Sequence, residues 1–196
     1  MGEGLGKQAK VLTDRQVKLA LAAVSQRRYP ERDRAMVLLS VRAGLRAKEI
    51  ANVTWGMVTD AEGDVGSALH LSNGASKGKN GGRVVPLNKE LRAALIALKA
   101  KRNVEAGDRI IHSERDLGMS AGAVQVWFHR LYNDLGFEGA SSHSGRRTFV
   151  TRCAKNIVAA GGSLRDVQEL AGHASLATTQ RYIQGDTAAK RRVVDL

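Results

Sequence analysis

The chain has 196 residues, enough for one domain with a sizeable core. Its 31 lysines and arginines outnumber 19 acidic residues, and the net charge of +12 is spread along the whole length, so nucleic acid is the first partner to consider. The single cysteine excludes an internal disulfide, no set of zinc ligands is present, and no apolar run could span a bilayer or act as a signal peptide, so we expect a cytoplasmic protein without a membrane partner.

Local signals mark the first two helices. Residues 1–12 carry three glycines and no periodicity, so we expect a flexible leader there. A capping box that begins at Thr13 opens a helix to about Arg27. Pro30 suits the first turn of a second helix, which should end at Gly44.

A charged pair follows this glycine. Arg46 and Glu49 lie three residues apart at the start of a short third helix, so their side chains share a face. On this spacing alone, a surface salt bridge is the simpler interpretation and a functional pair is the alternative.

After this helix the spacing of the apolar residues becomes typical of β-strands. Residues 68–71 and 83–87 are short apolar segments, separated by a glycine-rich turn that holds Lys77 and Lys79. Pro86 places the second segment at a strand end or a sheet edge. We predict a small antiparallel hairpin sheet with a lysine at its tip, although lysines at such tips are most often simply solvated.

Three further helices are expected. Asn88 caps the first of them, and Ser120 opens another that closes at Gly136. His143 and Arg146 lie three residues apart at the start of the next helix, where the helix dipole adds positive potential. Such an arrangement favours a phosphate.

The last helical turns contain the candidate nucleophile of the chain. A capping box at Ser163 opens a helix that ends at Gly172, and Ser175 starts the final helix, which puts His173 in the corner between them. Tyr182 should lie about two turns into that helix. A phenol is a useful nucleophile only when cations and a proton acceptor surround it, and packing is the ordinary alternative. Together, the elements predict a mainly α fold with a small antiparallel β-hairpin sheet, an α+β arrangement.

The candidate site residues occur in a fixed order along the chain. They are Arg46-x-x-Glu49, a hairpin lysine, His143-x-x-Arg146, Leu-Ala-Gly-His173 and, nine residues later, Tyr182. This set resembles the catalytic domain of the tyrosine recombinases, the phage-integrase family, over residues 13–185. The resemblance implies the tyrosine recombinase catalytic-domain fold.

The resemblance also implies an activity, a site-specific DNA recombinase of the integrase or invertase type. Tyr182 would attack a phosphodiester of double-stranded DNA and form a 3′-phosphotyrosyl link, which keeps the bond energy so that no ATP is needed. Arg46 and Arg146 would clamp the charge on the non-bridging oxygens. His143 would accept the phenol proton or donate to the phosphate, and His173 would donate a hydrogen bond to it.

The remaining roles follow from the same resemblance. A hairpin lysine would protonate the departing 5′-oxygen; Lys77 is the better candidate and Lys79 the alternative, because the hairpin is about one residue off the family's usual length. Glu49 would orient Arg46 or His143. With two guanidiniums and a lysine at the phosphate, the family's chemistry needs neither a metal nor another cofactor.

The domain organisation and the partners are inferred in the same way. Residues 13–185 would form the catalytic domain, and the tail 186–196 would dock on a neighbouring protomer or fray. The family's usual N-terminal core-binding domain is absent, which suits an excised domain or a minimal member. We expect a monomer or weak oligomer alone, a tetramer on paired DNA sites, and accessory DNA-bending proteins. The alternative function is a DNA-binding regulatory or accessory protein with weak or no cleavage.

Overall fold

The computed structural model describes residues 9–72, 82–114 and 118–182, in two compact units, Met1–Phe149 and Val150–Leu196. Its elements are α1 (Asp14–Ser25), α2 (Pro30–Arg42), α3 (Ala47–Asn52), a 3₁₀ helix (Trp55–Met57), β1 (Ala68–Leu71), β2 (Arg83–Pro86), α4 (Lys89–Lys99), α5 (Ala121–Asp134), α6 (Ser144–Asn156), α7 (Leu164–Ala171) and α8 (Leu176–Gln180). The described part of the chain is thus mainly helical with one antiparallel pair of strands, which confirms the predicted fold class. None of its helices is long and apolar enough to cross a membrane.

Helix α2 is the centre of the first unit. Every residue from Ala35 to Val41 is buried, whereas α1 and α4 bury one face only. Helices α1 and α4 pack against α2, and α3 packs against α5. A helix that buries seven successive residues needs neighbours on all sides. The first unit is therefore built around α2, and the loop that follows this helix carries Arg46.

The predicted helix starts are confirmed. The Thr13 hydroxyl accepts a hydrogen bond from the backbone N–H of Gln16 at 3.2 Å, and the Gln16 side chain accepts one from the Thr13 N–H at 3.0 Å. Asn88 and Ser120 likewise cap α4 and α5, and each accepts from the backbone N–H three residues later. At the end of α2, Gly44 adopts a φ of 64°. This left-handed conformation turns the chain towards α3 at little cost only for glycine.

The two strands pair as predicted. Ala68 lies opposite Pro86, and Leu71 lies opposite Arg83. Pro86 ends β2, where its missing N–H leaves no ladder bond unmade. The predicted hairpin lysines, Lys77 and Lys79, lie outside the described residues.

Residues 9–12 differ from the expected flexible leader. Leu12 is buried, and its backbone N–H donates to the Thr148 hydroxyl at 2.8 Å. The Arg147 guanidinium donates to the carbonyl of Ala9 at 3.0 Å. This part of the leader is therefore packed, because Leu12 is buried and two hydrogen bonds hold the segment against the first turns of α6.

The second unit contains α7 and α8. The predicted capping box at Ser163 is present, and Gly172 ends α7 in the left-handed conformation with a φ of 61°. The sequence predicted Tyr182 about two turns into the final helix. This prediction is wrong: α8 ends at Gln180, so Tyr182 lies in the turn after it. The reason is local: the Ser175 side chain does not cap the helix, and two threonines occupy its five residues.

Candidate active site

The first unit holds a buried carboxylate between two arginines. The Glu49 side chain is 1% exposed, and both of its oxygens accept two hydrogen bonds. Arg83 donates from both terminal nitrogens, to Oε1 at 2.8 Å and to Oε2 at 2.9 Å. Arg46 donates from Nη1 to Oε1 at 3.0 Å and from its backbone N–H to Oε2 at 2.8 Å. A carboxylate out of contact with water is tolerated only when it is paired in this way.

These bonds decide the charge state of Glu49. Burial alone would raise the pKa of the carboxyl, but the hydrogen bonds and charge of Arg83, together with those of Arg46, hold the pKa below its usual value. Glu49 is therefore ionised at neutral pH and anchors Arg46, which lies at the start of α3.

Arg46 is the more exposed of the two arginines. Its side chain is 30% exposed, against 9% for Arg83. Only Nη1 and the backbone N–H of Arg46 are bonded to Glu49, so Nε and Nη2 are not used by that carboxylate. Arg46 is thus held at its base, while its guanidinium keeps donors for an anion.

Arg146 is tied to the loop that carries Arg46. This residue is 3% exposed, and its Nη1 donates to the carbonyl of Gly44 at 2.7 Å. The start of α6 also lies close to α2, because a side chain at Gly145 would overlap the Ser40 hydroxyl. Both contacts place Arg146 in the same part of the first unit as Arg46.

His143 lies directly before α6. The carbonyl of His143 accepts a hydrogen bond from the backbone N–H of Arg147 at 2.9 Å, so His143 occupies the N-cap position of α6. Loss of solvation around the ring, followed by the positive charges of Arg146 and Arg46, lowers the pKa of His143. A neutral imidazole is a proton acceptor at neutral pH.

The second unit brings His173 and Tyr182 together. Their rings stack with centroids 5.3 Å apart and an interplanar angle of 21°. Thr179 contacts both residues: its hydroxyl oxygen lies 3.0 Å from His173 Nδ1, and its carbonyl accepts the Tyr182 N–H at 3.0 Å. Gln168 bonds the backbone of His173 twice, through its own carbonyl and through its side-chain amide, each at 3.0 Å. The corner histidine is thus fixed from two sides.

The predicted residues therefore fall into two groups. The first unit gathers Arg46, Glu49, His143 and Arg146, and the second gathers His173 and Tyr182. The sequence analysis missed two residues, Arg83 and Thr179. Arg83 bonds Glu49, 34 residues earlier in the chain, and the Thr179 hydroxyl contacts His173, 6 residues earlier. A charged residue at the first position of an apolar strand is the one signal that pointed to Arg83. In the described ranges, no group of three or more histidine, cysteine, aspartate or glutamate side chains is arranged to hold a metal ion.

The chain matches the model of the Phage integrase family over residues 10–188. It is 32% identical over 196 residues to tyrosine recombinase XerC of Rhizobium meliloti (strain 1021), an alignment that covers 95% of this chain and 57% of that protein. The chain spans about half the length of the relatives it matches.

Solved structures share the same fold. The crystal structure of XerA recombinase has a TM-score of 0.73 at 24% identity and covers 93% of this chain and 63% of that chain. The Tn1549 transposon integrase, in complex with transposon right end DNA, has a TM-score of 0.77 at 19% identity and covers 100% of this chain and 67% of that chain. The predicted catalytic-domain fold is confirmed.

Proposed function

The chain belongs to the phage integrase family of tyrosine recombinases, and on that premise we propose that it is a site-specific DNA recombinase that cuts and rejoins DNA through a 3′-phosphotyrosyl link. The observation that supports this most directly is the grouping in the first unit. Arg146 bonds the carbonyl of Gly44, in the loop that carries Arg46, and His143 lies three residues before Arg146, directly before α6. Two guanidiniums and a neutral imidazole suit a phosphodiester under attack.

The proposed reaction is a transesterification at phosphorus. The Tyr182 oxygen forms a bond to the phosphorus atom while the bond to the 5′-oxygen breaks. The phenol proton passes to His143, and the departing 5′-oxygen takes a proton from Lys77, with Lys79 as the alternative donor. Rejoining is the same step in reverse, with a 5′-hydroxyl from another duplex as the nucleophile.

The other residues act on the charge that develops at phosphorus. Arg46 and Arg146 each offer a planar pair of donors to the non-bridging oxygens, and His173 donates a further hydrogen bond. Glu49 holds Arg46 in place for this task. The proposal requires that the residues of the first unit and those of the second meet on one phosphate.

The proposed partner is double-stranded DNA. We expect a monomer or weak oligomer alone and a tetramer on paired sites, with the tail 186–196 docked on a neighbouring protomer. Because the substrate is DNA, we expect the protein in the cytoplasm, associated with the nucleoid. The high positive charge predicts binding that weakens steeply as salt is raised.

The test is the capture of a covalent adduct. A recognition duplex is selected from a randomised pool, and a nick beside the scissile phosphate lets the short 5′-hydroxyl strand diffuse away, so that the adduct accumulates. Denaturing electrophoresis should show a protein–DNA species with the wild type and none with Tyr182→Phe, which keeps the ring but loses the nucleophile. Equal yields from both proteins would refute the proposed nucleophile.

A further inference from the structure

The charges around Glu49 do not cancel. One carboxylate faces two guanidiniums, so the cluster Arg46, Glu49 and Arg83 carries a net charge of one positive unit. A pair of Arg46 and Glu49 alone would be neutral, and a neutral pair attracts a phosphate weakly. The third member of the cluster therefore decides whether Arg46 acts as a cation.

The geometry divides the work between the two arginines. Arg83 makes a two-point fork to the carboxylate, with bonds of 2.8 and 2.9 Å, from a side chain that is 9% exposed. Arg46 makes a single side-chain bond, at 3.0 Å, from a side chain that is 30% exposed. A two-point contact in a dry position holds a carboxylate more strongly than a one-point contact near solvent. The charge of Glu49 is thus directed mainly at Arg83.

We infer that Arg83 is a positioning residue: it neutralises Glu49 so that this carboxylate fixes Arg46 in place without cancelling the positive charge that Arg46 offers to a DNA phosphate. This inference rests on the proposed function and deepens it. The competing explanation is that Arg83 only ties β2 to α3. Both explanations predict that loss of Arg83 is harmful, so the test depends on removing the carboxylate at the same time.

The first measurement is DNA affinity as a function of salt, on a mixed-sequence duplex of about 30 base pairs, because the slope counts the phosphates that the protein neutralises. We expect Arg83→Gln to reduce the slope by about one, since Arg46 no longer acts as a free cation. The double variant Glu49→Gln/Arg83→Gln restores one positive charge at Arg46 and should recover the slope.

Arg92→Gln is the matched control. It removes the same single charge from the protein, but Arg92 donates to the carbonyls of Val65 and Gly66 and has no carboxylate partner in the described contacts. If Arg83→Gln and Arg92→Gln changed the slope equally, Arg83 would matter only through net charge and the inference would be overturned. A double variant no better than Arg83→Gln would overturn it as well.

The second measurement separates position from charge. Arg83→Lys keeps the positive charge but not the fork, so we expect a slope near that of the wild type and adduct formation reduced by roughly 100-fold, because Arg46 is less well placed. A wild-type adduct yield from Arg83→Lys would show that the fork is not needed. If the wild type itself formed no adduct, the proposed function would fail, whereas the salt slopes would still decide the role of Arg83. Thermal melts of each variant identify any that do not fold. If Arg83→Gln does not fold, Arg83→Lys and the double variant are compared with the wild type instead.

Discussion

Replacement of Thr179 by valine tests how the second unit holds its histidine. Valine keeps the shape of the side chain and removes the hydroxyl, whose oxygen lies 3.0 Å from His173 Nδ1. Thr179 is fully buried and His173 is 7% exposed, so water does not readily replace the lost bond. A buried polar group left without its partner costs about 1–3 kcal/mol. For a protein of this size, a loss of about 2 kcal/mol lowers the Tm by roughly 4–8 °C.

The same change should alter the chemistry of the ring. We expect the Thr179 hydroxyl to donate to Nδ1, which keeps the proton of the neutral ring on Nε2, where it serves a phosphate. Nitrogen-15 NMR of the imidazole should show one dominant tautomer in the wild type and a mixture in Thr179→Val, with slower adduct formation. Thr179→Ser keeps the hydroxyl and should retain the wild-type tautomer. A valine variant with the wild-type Tm and tautomer ratio would refute the reasoning.

Three further predictions concern the first unit and the hairpin. Gly44→Ala should lower the free energy of unfolding by about 2–5 kcal/mol, because the left-handed backbone is strained for alanine and the new methyl group meets a phenylalanine ring. Gly136 is also left-handed but has open space around it, so Gly136→Ala should cost about 1–2 kcal/mol. Equal losses of free energy in urea unfolding would contradict this prediction. The folded pKa of Glu49 lies below its ordinary 4.5, so its contribution to stability is complete above that pH and is lost as the pH falls through the folded value. The free energy of unfolding should therefore fall more steeply below about pH 4.5 in the wild type than in Glu49→Gln, and parallel curves would count against the buried ion pair. Whichever of Lys77→Ala and Lys79→Ala removes the leaving-group acid should regain cleavage on DNA with a 5′-bridging sulfur, since a thiolate leaves without a proton; the other variant should show no such recovery.

Sequence and structure agree where the controlling interaction is local. The capping residues Thr13, Asn88 and Ser120 bond to a backbone N–H three residues away, so a short pattern contains all the information. The pair Arg46 and Glu49 was predictable for the same reason, because three residues on a helix define a shared face.

Disagreement arises where the partner is distant or the propensity is weak. The fork from Arg83 to Glu49 joins a strand to a helix 34 residues earlier, and no periodicity encodes that contact. Residues 9–12 were assigned to a flexible segment because their hydrogen-bond partners on α6 come much later in the chain. The end of α8 before Tyr182 reflects weak helix propensity, because two of its five residues are threonines and the Ser175 side chain makes no cap bond.

The bond between Leu12 and Thr148 has a consequence for biosynthesis. Its two residues are 136 positions apart, and at about 5–20 residues per second a ribosome needs roughly 7–27 s to deliver the second after the first. Throughout that interval the backbone N–H of Leu12 lacks its native acceptor. The segment before α1 can therefore make this bond only after α6 has left the exit tunnel, so its packing follows the formation of the local helix caps.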